Sequence, residues 1–541
     1  MKKEIILLAQ ASGYFRTKNE DKKSAIVSDM SVSEGFENIE PDYFVSVLHA
    51  ETARRSEVYS QRAKKALDKI ESDAAKPISS GIDGAFEHIK VLPPGKYVIT
   101  AAQNNTDVDA VFMDALENYA KRMGAPILCA KITYNLNGFQ QGIDVTEGIY
   151  YDPRVKPYLV TGHVALGGID FIADANVLPT AAYPLTGFEA ITETGVSVII
   201  PASKIALKCT AALKGGAAKI MYSTGVCTKR NYVMRKAGAV AQSSHNIGAL
   251  FVDTTSPYKP IVRQLERMEN SEGFYDLDTF YTSNGKVFEA KDTVLQLGDV
   301  HAEKMNNYNM ELVEEAIDMV RPTHIMLHDV CDFSSRNHHN IKDPAFMYAK
   351  MTEGATVQAD LTKVARTISQ IGLYTEGDVK LHIVESNHDL ALERWVKETD
   401  FKEDPVNAMV YLRCMLAVYS AISMCNDSFN LLEWALTNLT SGELCANVIF
   451  HKTDESVMIN GVEHGVHGHS GINGSKGSPL QFAKLGIKIN TGHTHTPGIV
   501  LGCYTAGVSG SLEMGYNKGP SSWQLASVVT FENGQRQIIF S

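Results

Sequence analysis

Hydrophobic and polar positions fall along the chain in blocks that read as strands feeding into helices. The run KYVITAA (96–102) is apolar and β-branched, and the polar turn QNNTDVD follows it. AVFMDALENYAKRMGA (110–125) then has apolar positions at helical spacing with Gly124 near its end, and PILCAKITY is a second apolar strand. This strand–turn–helix–strand order predicts an α/β unit with a parallel strand pair. The turn after the first strand of such a unit is a common ligand site, which makes Gln103, Asn104 and Asn105 candidate contacts. The plainer reading is an Asn-rich turn. The later runs SVIIPASKIAL and GALFVD continue the α/β pattern, whereas ALKGGAAKI lacks the spacing of a phosphate loop and reads as a loop.

Ahead of this region, residues 1–92 combine a short apolar start with a long helical stretch over about 41–75. Arg54, Arg55, Arg62, Lys64, Lys65 and Lys69 interleave there with Glu51, Glu57, Asp68 and Glu71. The spacing predicts a solvated helix face with i,i+4 ion pairs, the sharper alternative being a helix that contacts a partner or DNA. Pro93-Pro94-Gly95 punctuates the chain. The expected organisation is a helical or mixed region (1–92), an α/β domain (93–285) and a C-terminal domain (286–541), with helices near 310–321 and 405–436 flanking its sheets.

Composition narrows the class. At 541 residues, 44% hydrophobic and 21% charged, the chain is a globular protein of more than one domain. No apolar run approaches the roughly 20 residues that span a bilayer. The start MKKEIILLAQASGYF reads as a buried strand rather than a signal peptide, because Gln10 breaks its apolar stretch. The eight cysteines have no CxxC pair or zinc-finger spacing, which fits a reducing cytoplasm. A net charge of −11 excludes a generally basic nucleic-acid coat. It leaves room for a local groove where bound cations would supply positive charge.

The C-terminal half holds five segments of one kind, each an apolar strand running into a loop rich in His, Asp or Asn. TVLQLGDVHAEK supplies Asp299 and His301. THIMLHDVCDF supplies Asp329, with Asp332 a further candidate. LHIVESNHD supplies Asn387, His388 and Asp389. GVEHGVHGHSGINGSKGS supplies His464, His467 and His469, and IKINTGHTHTPG supplies His493 and His495. Strand ends hold side chains rigidly, and several at one sheet edge can converge on a point. Carboxylate, imidazole and amide donors suit Mn, Fe or Zn in an open site rather than a structural zinc site. An Asp can bridge two cations some ~3.5–4 Å apart, the arrangement used for in-line phosphoryl displacement. Each motif alone is weak; the ordered set of five carries the reading.

In this order the segments resemble the calcineurin-like metallophosphoesterase superfamily, whose pattern runs DxH, GDxxD, GNHD/E, a His in a GH or HGH loop, then GHxH. His328 and Ser386 stand where that pattern has glycine, so those two turns are expected to differ locally. The resemblance implies an α/β fold with a C-terminal αββα sandwich and a separate N-terminal α/β domain. It implies two divalent cations, Mn first among Mn, Fe and Zn. One would be held by Asp299, His301, Asp329 and His495, the other by Asp329, Asn387, His467 and His493, with His388 as the catalytic, non-ligand histidine. His467 is preferred over His464 and His469 because HGHSGINGSKGS resembles the HGD-x-G-x-x-G-S-[RK]-G loop of phage members.

A narrower resemblance spans nearly the whole chain. YVITAAQNNTDVDAVF, LPTAAYPLTGFEAIT, SKIALK, EGFYDLDTFYT, HDVCDFSSRNHHN, SNHDLALERWVKETDF, GHTHTPGI and GPSSW resemble the early DNA-transfer protein family of certain large tailed phages. That likeness implies a Mn-dependent DNA nuclease in the host cytoplasm, serving host-DNA degradation and phage DNA entry. Arg336, His338, His339 and Lys476 are weaker candidates for substrate phosphate, with exposed loop residues as the plain alternative. Arg394 is read equally as an ion-pair partner, and Trp523 as packing. Homo-oligomerisation through the N-terminal region is expected, with no transmembrane segment. The alternatives are a phosphatase or phosphodiesterase acting on nucleotide, protein or lipid, and a metal-free DNA-transfer scaffold.

Overall fold

The computed structural model describes residues 89–134 and 149–541, apart from 193–194, 215, 257–258, 338–342 and 516, together with a few positions before residue 51. By compactness the chain divides into Met1–Gly81 with Ser256–Lys259, and Ile82–Thr255 with Pro260–Ser541. In the first unit positions 45–50 are helical; the rest of the expected 41–75 helix, Tyr43 apart, lies outside the described residues. The second unit is a mixed α/β structure and holds all five motifs.

The first strand–turn–helix–strand unit forms as its pattern predicts. Lys96–Gln103 is buried at every position after the first, which is why it reads as an unbroken apolar run. It pairs in parallel with Ile127–Ile132. The intervening helix, Ala110–Met123, starts where Asp109 Oδ1 accepts from the Phe112 N–H and stops at Gly124, whose φ of 64° a side chain would resist. Phe112, Leu116, Tyr119 and Ala120 form its buried stripe. The turn residues hold the chain to itself: Gln103 Nε2 donates to the Asn231 carbonyl, and the Asn104 and Asn105 side chains accept from the Tyr134 and Tyr150 amides. These bonds tie the turn to neighbouring backbone, while Gln103 Oε1 is buried without a partner among the described residues.

A six-stranded sheet carries the first three motifs. Its order is Val448–His451, Lys380–Val384, His324–His328, Val294–Gln296, Ala526–Thr530, Arg536–Phe540. The first four run parallel, so their C-terminal ends share one edge. One face packs beneath the helices Asn307–Val320, Val357–Leu373, Ala391–Glu398, Ala408–Ser423 and Leu431–Leu439. Leu295, Ile325, Leu327, Leu381 and Ile383 are buried in a single core with them. Each such side chain contributes roughly 1.5–3 kcal/mol by leaving water. The helix expected near 310–321 is therefore present, and the one expected over 405–436 is two helices, separated by a turn in which Cys425 has a φ of 54°.

The last two motifs come from another sheet, of eleven strands, which draws on both sides of residue 286. In it Leu207–Cys209 pairs antiparallel with Gly498–Val500. The order continues through Cys503–Thr505 and Ile489–Thr491 to Val462–Glu463. Buried polar ties join the two sheets: Gln296 Nε2 to the Thr491 carbonyl (3.0 Å), Asn490 Nδ2 to Thr530 Oγ1 (3.0 Å), and Arg536 Nη1 to the Ile489 carbonyl (3.0 Å). These bonds fix how the two sets of motif loops face each other.

Candidate metal centre

Because Val294–Gln296, His324–His328 and Lys380–Val384 are parallel neighbours, the loops that follow them emerge side by side. The loops after Val462–Glu463 and Ile489–Thr491 meet them from the second sheet. The result is two overlapping groups whose donor atoms lie within 4.8 Å of one another: Asp299, His301, Asp329 and His495, and Asp329, His467 and His493. Asp329 belongs to both. His495 Nε2 is 3.1 Å from Asp299 Oδ2 and 3.2 Å from His301 Nε2. His467 Nε2 is 3.3 Å from Asp329 Oδ2 and its Nδ1 is 3.9 Å from Asp299 Oδ1.

The backbone is bent to achieve this. His301, Asp329, His493 and His495 all have φ between 45° and 67°, the left-handed region that costs a non-glycine residue about 1 kcal/mol or more. Four strained residues in one cluster mark a place where donor direction outweighs local comfort. Two glycines make room. A Cβ on Gly298 would come within 2.6 Å of the Val508 carbonyl carbon, and one on Gly492 would overlap Asp299 Oδ1. Asp299 is fixed further by the His493 amide, which donates to Oδ2 at 2.8 Å.

The donor set suits a cation. Among the described residues, both oxygens of Asp329, Oδ1 of Asp299, Oδ1 of Asn387, both nitrogens of His467 and Nδ1 of His495 are buried without a hydrogen-bond partner. Such orphaned atoms would cost about 1–3 kcal/mol each if nothing answered them. Oxygen and imidazole donors without thiolate match Mn, Fe or Zn chemistry. The electrostatics agree. Burial alone would raise the Asp299 and Asp329 carboxyls, but the His467 charge, with neighbouring imidazoles, holds both below the ordinary range. Burial pulls His467 down, while Asp329 and Asp299 more than reverse it and lift it to about 9. Burial and then the His467 charge push His493 down to about 4.

A third group lies beside these: His301, Asp332 and His388. Asp332 Oδ1 is 3.4 Å from His301 Nδ1 and 3.5 Å from His388 Nδ1. Burial would raise Asp332, but hydrogen bonding to His301 and the His301 charge take it to about 2. The signal for it in the sequence was the three-residue step from Asp329 to Asp332.

Asn387 and His388 sit on the loop after Lys380–Val384, His388 with its ring 5.0 Å from that of His301. His464 and His469 lie outside the three groups among the described residues, while His467 is within one. His328 is buried with its ring stacked on His467 at 5.6 Å, and burial drives it to about 3. Ser386 donates to Asp389 Oδ2 at 2.8 Å, closing the third loop. Trp523 packs edge-on against His495 at 4.2 Å. Arg336 is a correction to the substrate-contact expectation. It is 3% exposed and forked onto Asp404 at 2.7 and 2.9 Å, so its guanidinium is consumed inside the fold. His338 and His339 lie outside the described residues, and Lys476 is exposed on its loop.

Fold and site together define a mixed α/β protein with a buried Asp/His cluster able to hold metal ions. No family model and no solved structure matches the chain. Protein A1 of Escherichia phage T5 is 42% identical over 495 residues, covering 88% of this chain and 87% of that protein. The chain belongs to the family of that phage protein.

Proposed function

We propose that the chain is a two-metal-dependent phosphodiesterase of the calcineurin-like metallophosphoesterase kind, acting as a DNA nuclease. The observation that carries this is Asp329, a carboxylate common to two donor groups with neither oxygen hydrogen-bonded among the described residues. One cation would be held by Asp299, His301, Asp329 and His495. The other would be held by Asp329, Asn387, His467 and His493, with Mn as the proposed metal. Bound there, the pair would polarise the phosphoryl group and activate the attacking water. His388 turns Nδ1 toward the Asp332 carboxylate, which leaves Nε2 to hold a proton for the leaving oxygen. Helices over the six-stranded sheet, and polar ties from it to the second sheet, support the αββα reading.

DNA as the substrate, with a role in host-DNA degradation and phage DNA entry inside the host cytoplasm, rests on the whole-chain resemblance to early DNA-transfer proteins and on membership of a phage family. No helix of the described residues is long and apolar enough to cross a membrane. A second reading, hydrolysis of a smaller nucleotide, protein or lipid phosphoester, is favoured by one observation. A cavity of about 270 Å³ beside His467 and His469 is rimmed by Glu385, Asp454, Glu455 and Glu463, a poor surface for a polyanion. The test is cleavage of plasmid DNA and of a small aryl phosphodiester with Mn, with Mg and with chelator, alongside Asp329→Ala and His388→Ala. Metal-dependent DNA cleavage lost in both variants supports the nuclease. Cleavage of the aryl ester alone supports the second reading, and no cleavage of either sinks both.

A further inference from the structure

The helix Ala408–Ser423 is apolar on two sides. Val410, Tyr411, Cys414, Ala417 and Ala421 are buried, the helix packing on Ala391–Glu398 and Leu431–Leu439. Met409, Leu412, Leu416, Tyr419 and Ile422 are 70, 42, 69, 61 and 63% exposed. Their spacing of three and four residues draws one stripe along the helix, the pattern of a helix–helix seam. Val406 and Met424, 62 and 77% exposed, extend it at either end. Contiguous apolar surface of this kind marks an interaction site on a protein in water.

A second copy of the chain is the occupant that fits. The stripe runs the length of the helix, so two copies laid across a two-fold axis would cover the same residues on each other, the self-complementary contact that a symmetric pair requires. The helix carries a single charge, Arg413, and its guanidinium donates to the Asn438 carbonyl. The Ser420 and Ser423 hydroxyls turn back onto the Leu416 and Ser420 carbonyls. Two copies therefore meet without like-charge repulsion, whereas an acidic or basic partner finds no complementary row. At 16 residues the helix is too short to span a bilayer. We propose that the chain self-associates by pairing this helix with its counterpart across a two-fold axis, an assembly surface separate from the N-terminal region.

Sedimentation velocity on the full chain over a wide concentration range, with Mn present, tests this. The wild type is expected to associate, and Leu416→Glu to weaken association about 100-fold or more while its circular-dichroism melt is unchanged. In a Cys425→Ser background, Leu416→Cys is expected to join two copies through a short thiol cross-linker, because mid-seam residues approach each other at the axis. A wild type that stays monomeric overturns the proposal. So does association indifferent to Leu416→Glu, which would seat assembly elsewhere, the N-terminal residues included. Leu416-dependent binding of monomer to phospholipid vesicles would instead make this a lipid-facing surface. Should Leu416→Glu fail to fold, absence of the Leu416→Cys cross-link overturns it.

Discussion

Metal binding and proton release should be tied together through His467. In the metal-free chain this imidazole sits between Asp329 and Asp299 and its proton is held to about pH 9. A cation coordinated by its nitrogen must displace that proton. At pH 7 the group lies about two units below its pKa, so on the order of 100-fold in affinity, or roughly 3 kcal/mol, goes into deprotonation. The sign follows. A raised pKa means that the charged form stabilises the metal-free fold fully below the ordinary imidazole value, and that this contribution is lost as pH rises through about 9. Mn affinity should therefore climb by about tenfold per pH unit from about 7 to 9 and flatten above. His493, held near 4, is already neutral across that window and adds no slope. Titration calorimetry in two buffers of different ionisation enthalpy would report the proton released on Mn binding at pH 7 and its loss by pH 9.5 or so. His467→Ala should abolish the pH slope along with most of the affinity. Mn binding without proton release at pH 7, or affinity flat from 7 to 9, would refute the placement of His467 between the two carboxylates as a ligand.

Three further outcomes are expected. Gly492→Ala, which replaces no donor but sets a Cβ against Asp299 Oδ1, should displace Asp299 by about 1 Å and lower Mn affinity 10- to 100-fold, checked by the same calorimetry; unchanged affinity would release Asp299 from the site. Asp332→Asn should leave saturating Mn binding in place but lower kcat on the cleaved substrate about 100-fold, since His388 loses the carboxylate facing its Nδ1; an unchanged kcat would remove Asp332 from the mechanism. Arg336→Ala should destabilise the fold by about 3–5 kcal/mol in urea unfolding, because it strands buried Asp404; a loss confined to substrate binding would restore Arg336 as a phosphate contact.

Much of this architecture is local and so was legible along the chain. The buried strand Lys96–Gln103, its helix and Gly124 stop follow from apolar period and turn chemistry, which act over a few residues. The donors of the five motifs were legible for the same reason, since strand followed by polar loop is a short-range signal. His467 was singled out from its neighbours only through the resemblance of its loop, not through periodicity.

Other features depend on approach between distant segments, and sequence carries no local mark of them. Arg336 read as a loop cation until Asp404, far along the chain, folded onto it in the interior. The joining of Leu207–Cys209 to Gly498–Val500 rests on pairing across nearly three hundred residues, a contact whose closure entropy is overcome only by the assembled sheet. Asp332 was legible as a carboxylate, but its position between His301 and His388 comes from two loops meeting at one sheet edge. The sequence by itself determined which residues could serve as donors and which strands would carry them. The tertiary structure decided which donors share a centre, because convergence is set by sheet order and inter-sheet hydrogen bonds that no single segment contains.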